Sequence, residues 1–192
     1  MTTIVIAEDE AIIRLDLREL LEEEGYVVVG EAGRGDQAVD LVRQLRPDLV
    51  ILDVKMPGMD GIEAARLIST EGICAVLMLT AFSQREIVEQ ARDAGAVAYL
   101  VKPFQKADLV PAIELATARY AETKVLVAEN SELTERLEVR KLLDRAKGRL
   151  IDGHGMKEAD AFNFIQKSAM TQRATMRAVA ESILKGEVVP PA

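Results

Sequence analysis

Five short apolar runs alternate with segments of helical periodicity over residues 1–101, and this alternation leaves few possible folds. The runs lie at residues 3–7, 26–29, 48–52, 75–79 and 98–101. A strand that is apolar along its whole length is buried on both faces, and short connections through a helix make successive strands parallel. We therefore predict an α/β fold, a doubly wound five-stranded parallel sheet with helices on both faces.

From about residue 108 the pattern becomes helical and stays helical. Neither Gly nor Pro occurs between Leu115 and Gly148, and after a break at 152–155 two further helical segments follow at about 157–169 and 174–185. We predict a long connecting helix followed by a small three-helix all-α domain. The predicted boundaries are 1–119 for the first domain, 120–136 for the connecting helix, 137–186 for the three-helix domain and 187–192 for a tail.

The connecting helix carries a short apolar seam. Leu126, Leu133 and Leu137 recur at coiled-coil spacing, but Asn130 and Arg140 occupy the neighbouring seam positions. An interrupted seam of this length is compatible with self-association and also with a helix that stays single. Both interpretations remain open from the sequence.

Charge is distributed unevenly between the two halves. The 192 residues have a formal net charge of −8; residues 1–120 carry 12 Lys/Arg against 21 Asp/Glu, and residues 121–192 carry 12 against 11. Within 136–177 the count is ten basic to five acidic side chains. The overall charge disfavours nonspecific binding of nucleic acid by the whole chain, and the asymmetry indicates that the two halves have different partners.

The cysteine content and the lengths of the apolar runs indicate the compartment. Cys74 is the only cysteine, so no intrachain disulfide can form, which is typical of a reducing environment. No apolar run approaches the roughly 18 residues that would indicate a membrane helix. We expect a cytoplasmic protein without a membrane partner.

Acidic, hydroxyl and basic side chains follow four of the predicted strands, at the point where each strand ends. Glu8 and Asp9 follow the first strand, Asp53 the third, Thr80 the fourth and Lys102 the fifth. Since parallel strands end at the same edge of a sheet, we expect these groups to meet. Clustered carboxylates need a cation, and oxygen-only ligands suit Mg²⁺ beside a phosphate. The hydroxyl and the ammonium group would position and neutralise a phosphoryl group, which a carboxylate can accept as an acyl phosphate.

The residues around these strand ends form a set of motifs. They are Glu8-Asp9, Asp53 with Lys55-Met56-Pro57 and Asp60-Gly61, Thr80-Ala81, Tyr99, and Lys102-Pro103. Together they resemble the receiver domain of two-component response regulators, a flavodoxin-like fold, over residues 1–120.

This resemblance implies a phosphoacceptor and a metal site. Asp53 would accept the phosphoryl group, and Glu8, Asp9 and Asp53 would bind Mg²⁺ together with the backbone carbonyl of Lys55. Glu8 stands where the family more often has Asp, which leaves open whether Glu8 or Asp9 touches the metal directly.

The resemblance also implies a switch. Lys102 would be the counter-charge of the phosphate, and Thr80 would bond the phosphoryl oxygens. Tyr99 would swing inward in response. The Lys102-Pro103 peptide would be cis, a geometry that only a bond preceding proline adopts at low cost.

A second set of motifs lies in the other half of the chain. It consists of Arg145-Ala146-Lys147-Gly148, Leu150, Gly155-Met156, Glu158, Ala161-Phe162, Ala169-Met170 and Ala180. These residues resemble the ANTAR domain, the three-helix RNA-binding module of transcription antitermination regulators, over about 137–186.

Basic side chains of this half would supply contacts to RNA phosphates. The candidates are Lys141, Arg145, Lys147, Arg149, Arg173 and Arg177. Because Glu138 and Asp144 are interleaved among them, a solvated face of mixed charge is the alternative. Phe162 and Phe164 are predicted to lie in the three-helix core, so recognition would rely on RNA shape and backbone.

The function implied is that of a regulator and not of an enzyme. A sensor histidine kinase would phosphorylate Asp53, and the modification would either favour a homodimer through the connecting helix or release a masked RNA-binding face. The ANTAR domains would then bind RNA hairpins in nascent transcripts and promote antitermination. A DNA-binding or protein-binding helical output is one alternative. A phosphohydrolase is another, although Lys55 stands where such an enzyme needs its second acid.

Overall fold

The computed structural model describes residues 1–81 and 85–190, and the chain divides into two compact units, Met1–Lys124 and Val125–Ala192. The first unit contains β1 (Thr3–Ala7), α1 (Ala11–Glu23), β2 (Val27–Ala32), α2 (Gly35–Leu45), β3 (Leu49–Asp53), α3 (Gly61–Glu71), β4 (Ala75–Thr80), α4 (Arg85–Asp93) and β5 (Ala98–Val101). Helix α5 (Lys106–His154) begins in the first unit and ends in the second, where α6 (Glu158–Gln172) and α7 (Met176–Lys185) follow. The sequence pattern also predicts a helix at about 83–94, and its first two residues lie outside the described residues, as do the last two residues of the predicted tail.

The sheet has five parallel strands in the order β2-β1-β3-β4-β5. Every residue of β3 and β4 is buried, as their uninterrupted apolar sequences require. Helices α1 and α5 pack on one face, with Leu17 and Leu109 in the core, and α2, α3 and α4 pack on the other. The prediction of a doubly wound five-stranded parallel sheet is confirmed.

Strands β2 and β3 extend past their predicted ends, by three residues and by one residue. Strand β2 ends at Ala32 and not at residue 29, because Ala32 pairs with Ala7 of β1 after a register shift between Ile4 and Val5. Strand β3 includes Asp53, which pairs with Leu79 of β4. Backbone pairing therefore carries both strands past the apolar residues that defined them in the sequence.

The second unit is a three-helix core formed by the C-terminal part of α5 with α6 and α7. The connecting helix and the first helix of this core are one continuous helix, which passes through Gly148. The core contains Ala146, Leu150, Ala161, Ile165, Ala169, Val179, Ala180 and Ile183. The predicted boundaries at 119 and 136 fall inside this continuous helix, so they stay predictions.

Phe162 was wrongly predicted to lie in the core of this unit. Ala161, Ile165 and Ala169, spaced four residues apart, form the buried stripe of α6, whereas the adjacent Phe162 is 40% exposed. Phe164 is partly buried and packs against the core, as predicted. Hydrophobicity alone did not distinguish which residues of α6 face inward.

No helix within the described ranges combines the length and the apolar composition of a membrane span.

Replacing Gly148 by alanine should stabilise the protein. A Cβ at Gly148 would meet no heavy atom within 4 Å outside the backbone of its own helix. Because alanine loses less backbone entropy than glycine in a helix, Gly148→Ala should raise the free energy of unfolding by about 0.5–1 kcal/mol. Urea titration followed by far-UV circular dichroism measures this change.

The matched control is Gly72→Ala. The added Cβ also has space there, but Gly72 ends α3 with a left-handed φ of 59°. We expect Gly72→Ala to lower the free energy of unfolding by about 1–2 kcal/mol, because an L-residue is strained in that conformation. Stabilisation by both substitutions would contradict this explanation.

Candidate metal and phosphoacceptor site

Asp53 is the last residue of β3, and its buried side chain is held from two directions. One carboxylate oxygen accepts a hydrogen bond from the Lys55 amide at 3.1 Å, and the other lies 2.8 Å from the Lys102 Nζ. The backbone is also closely packed here, because a Cβ at Gly61 would collide with the Asp53 carbonyl oxygen. The start of α3 therefore fixes the end of the strand that carries Asp53.

Three carboxylates meet at this edge of the sheet. Glu8 and Asp9 follow β1, which lies next to β3, and one ligand oxygen from each of Glu8, Asp9 and Asp53 lies within 4.8 Å of the others. Glu8 is fully buried, whereas Asp9 is exposed. Burial raises the pKa of Glu8, its hydrogen bond with Lys102 opposes that rise, and the negative charge of Asp53 adds to it.

Lys102 supplies the positive charge of the cluster. Its Nζ lies 2.5 Å from Glu8 Oε2 and 2.8 Å from Asp53 Oδ1, and its backbone amide donates to the Thr80 carbonyl at 2.8 Å. Burial acts to lower the pKa of Lys102, but hydrogen bonds and charge from the two carboxylates outweigh burial, so the pKa is raised. The Lys102-Pro103 peptide is cis, as the resemblance implied.

Thr80 and Tyr99 occupy different environments. Thr80 is the buried last residue of β4, paired in register with Val101 at the edge that carries the acids. Tyr99 lies on β5 with 51% of its surface exposed, beside a pocket that Val88 and Arg119 also line. Tyr99 is thus turned toward solvent in this structure and lies apart from the carboxylate cluster.

A cavity of about 330 Å³ opens over the cluster. It is lined by Asp9, Glu10, Asp53, Val54, Lys55, Ala81 and Lys102. The exposed carboxylate of Asp9, the Asp53 side chain and the Lys102 ammonium therefore border a space large enough for a phosphoryl group and an ion with its waters.

One residue that contacts this site was missed in the sequence. Arg14, on the first turn of α1, donates a hydrogen bond from Nη1 to the Glu8 carbonyl oxygen. The only signal was a basic residue four positions after the acidic run that ends at Glu10. Nothing in that spacing indicates a backbone contact.

Among the candidate RNA-binding residues, Lys147 and Arg149 bind groups within their own unit. The Lys147 Nζ lies 2.9 Å from Asp144 on α5 and 3.0 Å from Glu158 on α6. The Arg149 guanidinium donates to the Leu184 carbonyl in the last turn of α7 at 2.7 Å. Both side chains join helices of the three-helix core.

The remaining candidates are exposed. Lys141 and Arg177 each pair with a glutamate one turn away on the same helix, and Arg177 also lies 3.8 Å from Glu135 on α5. Arg145 and Arg173 have exposed side chains that form no ion pair with any residue in the described ranges. Among the six candidates, the basic charge available to a partner therefore comes mainly from these four residues.

Both halves of the chain match known protein families. A family model of the response regulator receiver domain matches residues 4–114, and a model of the ANTAR domain matches residues 131–184. The transcriptional regulatory protein PdtaR of Mycobacterium tuberculosis is 59% identical over 182 residues, which cover 95% of this chain and 89% of that protein. The chemotaxis protein CheY of Thermotoga maritima is 35% identical over 111 residues, 57% of this chain and 92% of that protein.

A solved structure supports the same assignment for the first unit. A two-component response regulator of the LuxR family from Aurantimonas sp. SI85-9A1 superposes with a TM-score of 0.59 at 33% identity, over 65% of this chain and 99% of that one. The fold and the cluster thus define a response regulator receiver. The chain belongs to the response regulators that join a receiver domain to an ANTAR domain, and it is a phosphorylation-controlled regulator with an ANTAR output.

Gly61→Ala should destabilise the site. The added Cβ would collide with the Asp53 carbonyl oxygen, so α3 or the end of β3 must move. We expect a loss of about 1–3 kcal/mol in the free energy of unfolding, measured by urea titration.

Gly33→Ala is the control near the same edge. Its Cβ would make only an ordinary contact, 3.8 Å from Arg14 Nη1, at a backbone conformation open to L-residues. We expect its free energy of unfolding to stay within about 0.5 kcal/mol of the wild type. Equal losses in both variants would show that the close approach at Gly61 is not the cause.

Proposed function

We propose that Asp53 accepts a phosphoryl group from a sensor histidine kinase and that the acyl phosphate controls RNA binding by the ANTAR domain. The observation that carries this proposal is the meeting of three carboxylates and one ammonium group at the end of β3. In the transfer, an Asp53 carboxylate oxygen forms a bond to phosphorus as the bond from phosphorus to the donor nitrogen breaks. The donor histidine leaves as the neutral imidazole after taking up a proton.

The donor set fits Mg²⁺. Three carboxylates with oxygens within 4.8 Å of one another offer hard ligands, and the backbone carbonyl of Lys55 would add a fourth. A bound Mg²⁺ would offset the negative charge shared by the phosphoryl group and the acids. Of the two acids after β1, Asp9 is the better direct ligand, because both Glu8 oxygens already accept hydrogen bonds, from the Glu10 amide and from Lys102.

Lys102 and Thr80 would act on the transferred group. The Lys102 ammonium already lies against Asp53, so it can neutralise charge that develops there during transfer. Thr80 ends the neighbouring strand, where its hydroxyl would bond a phosphoryl oxygen. When Thr80 bonds the phosphoryl oxygen, the exposed Tyr99 would move inward. The receiver domain would then have a second conformation, which phosphorylation stabilises.

The connecting part of α5 offers a surface for homodimerisation. Leu126, Leu133 and Leu137 are each more than half exposed, and they repeat at coiled-coil spacing on one helix. A parallel pair of such helices would bring two ANTAR domains together. Phosphorylation that favours this pairing would then favour binding to paired RNA hairpins in a nascent transcript, and so antitermination.

Phosphorylation should depend on Asp53 and on a divalent cation. With a small acyl phosphate donor and Mg²⁺, intact-protein mass spectrometry should show one added phosphoryl group, and hydroxylamine should remove it. Asp53→Asn and a metal chelator should each abolish labelling, because they remove the acceptor and the charge neutralisation. Asp40→Asn, at an exposed acid on α2, should label normally.

The same samples test the switch. The phosphorylated wild type should sediment as a heavier species and bind an RNA hairpin more tightly than the unphosphorylated protein, whereas Asp53→Asn should do neither. Equal mass and equal affinity with and without phosphate would contradict the switch. Steady release of inorganic phosphate from small phosphate esters would instead favour the phosphohydrolase.

Arg145 and Arg173 should contact RNA phosphates, because they are exposed and form no ion pair with any residue that the structure describes. Each substitution to Met should lower hairpin affinity and reduce the slope of log K against log salt by about one. Fluorescence anisotropy across a salt series measures both quantities. Tighter binding of duplex DNA than of the hairpin would favour a DNA-binding output.

Lys147→Met is the matched control, since Lys147 joins α5 to α6. It should lower the unfolding temperature of the second unit and leave the salt slope of hairpin binding unchanged. A fall in that slope as large as for Arg145→Met would contradict the division between structural and RNA-contacting residues.

A further inference from the structure

Arg14 connects the metal site to the neighbouring strand. The residue lies on the first turn of α1 with 23% of its side chain exposed. Its Nη1 donates to the Glu8 carbonyl oxygen at 2.5 Å, and its Nε lies 3.5 Å from Glu31 Oε2 on β2. One guanidinium group therefore joins the loop after β1 to the end of β2.

The Glu8 peptide groups are held on both sides. The Glu8 amide donates to the Ala32 carbonyl of β2 at 3.0 Å, which fixes the entry to the loop. The Glu8 carbonyl belongs to the next peptide plane, which also contains the Asp9 nitrogen, and Arg14 holds that oxygen. This second plane links the α-carbons of Glu8 and Asp9, from which the two carboxylates project.

Glu31 keeps the Arg14 guanidinium in place. Glu31 is also bound by Arg18 at 2.8 Å, and Arg18 in turn pairs with Glu22 at 2.8 Å. Arg18, like Arg14, pairs with Glu31, but it makes no hydrogen bond or ion pair with Glu8 or Asp9 within the described ranges. The two arginines therefore form a matched pair, of which only Arg14 touches the loop that carries the acids.

We infer that Arg14 is a positioning residue for Mg²⁺: its hydrogen bond to the Glu8 carbonyl orients the peptide from which the Glu8 and Asp9 carboxylates project. This inference rests on the proposed Mg²⁺ site. Groups that orient metal ligands from outside the coordination sphere typically contribute 10–100-fold to metal affinity.

Charge and positioning predict opposite effects at this residue. Arg14 is a cation close to a cation site, so charge alone would make its removal strengthen Mg²⁺ binding. Loss of positioning would weaken binding, because the peptide and its carboxylates would have to be ordered when the ion binds. The direction of the change therefore separates the two roles.

The test is a Mg²⁺ titration of the full chain without kinase or phosphodonor. The chain has no tryptophan, so binding is followed by the NMR shifts of the backbone amides of Asp9 and Lys55. Arg14→Met should raise the Mg²⁺ dissociation constant about tenfold. Arg14→Lys keeps the charge but cannot bridge Glu8 and Glu31, and it should raise the constant severalfold.

Arg18→Met is the control and should change the constant less than twofold. Thermal unfolding without Mg²⁺ checks that each variant is folded. If Arg14→Met does not fold, the test uses Arg14→Lys instead. Unchanged or tighter binding by the folded Arg14 variants would overturn the inference, as would equal weakening by Arg18→Met. Failure of the wild type to bind Mg²⁺ would instead overturn the proposed metal site.

Discussion

The ion pairs between Lys102 and the carboxylates of Glu8 and Asp53 are the interactions on which the functional edge depends. Two buried carboxylates side by side repel each other and lose hydration, so they can stay charged only beside a cation. Lys102 reaches both because β5 ends at the same edge as β1 and β3. The parallel sheet is thus a requirement of the chemistry, since it brings residues that are distant in sequence to one place.

Sequence reasoning reached this cluster because its members follow strands that are easily recognised. Asp53 and Lys102 each come directly after an apolar run, and topology then places them together. Arg14 could not be found in this way, because its contact is with a backbone carbonyl and no side-chain pattern encodes that partner. The prediction that Phe162 is buried was wrong for a related reason. Ala161 and Ala169 of α6 face inward, and small residues such as alanine give a weak periodic signal in the sequence.

The basic residues of the second unit differ in their contacts, although their charges are the same. Six basic residues looked equivalent in the sequence, yet Lys147 and Arg149 bind partners on other helices of the core, while Arg145 and Arg173 extend into solvent. A cation that already neutralises an internal acid releases fewer counterions on RNA binding than one that is solvated. The exposed Phe162 also adds an aromatic surface, so recognition need not rely on the RNA backbone alone.

The arrangement around Lys102 also explains why phosphorylation should require a metal ion and not merely be accelerated by one. A phosphoryl group would bring close to two negative charges next to Asp53, and it would compete with Glu8 for the same ammonium group. If Lys102 turned toward the phosphoryl oxygens, the fully buried Glu8 would lose its cation, which is costly at a buried site. A divalent ion held by Asp9 and its neighbours would replace the positive charge that Glu8 loses. Lys102 would therefore couple metal binding to the phosphorylated state.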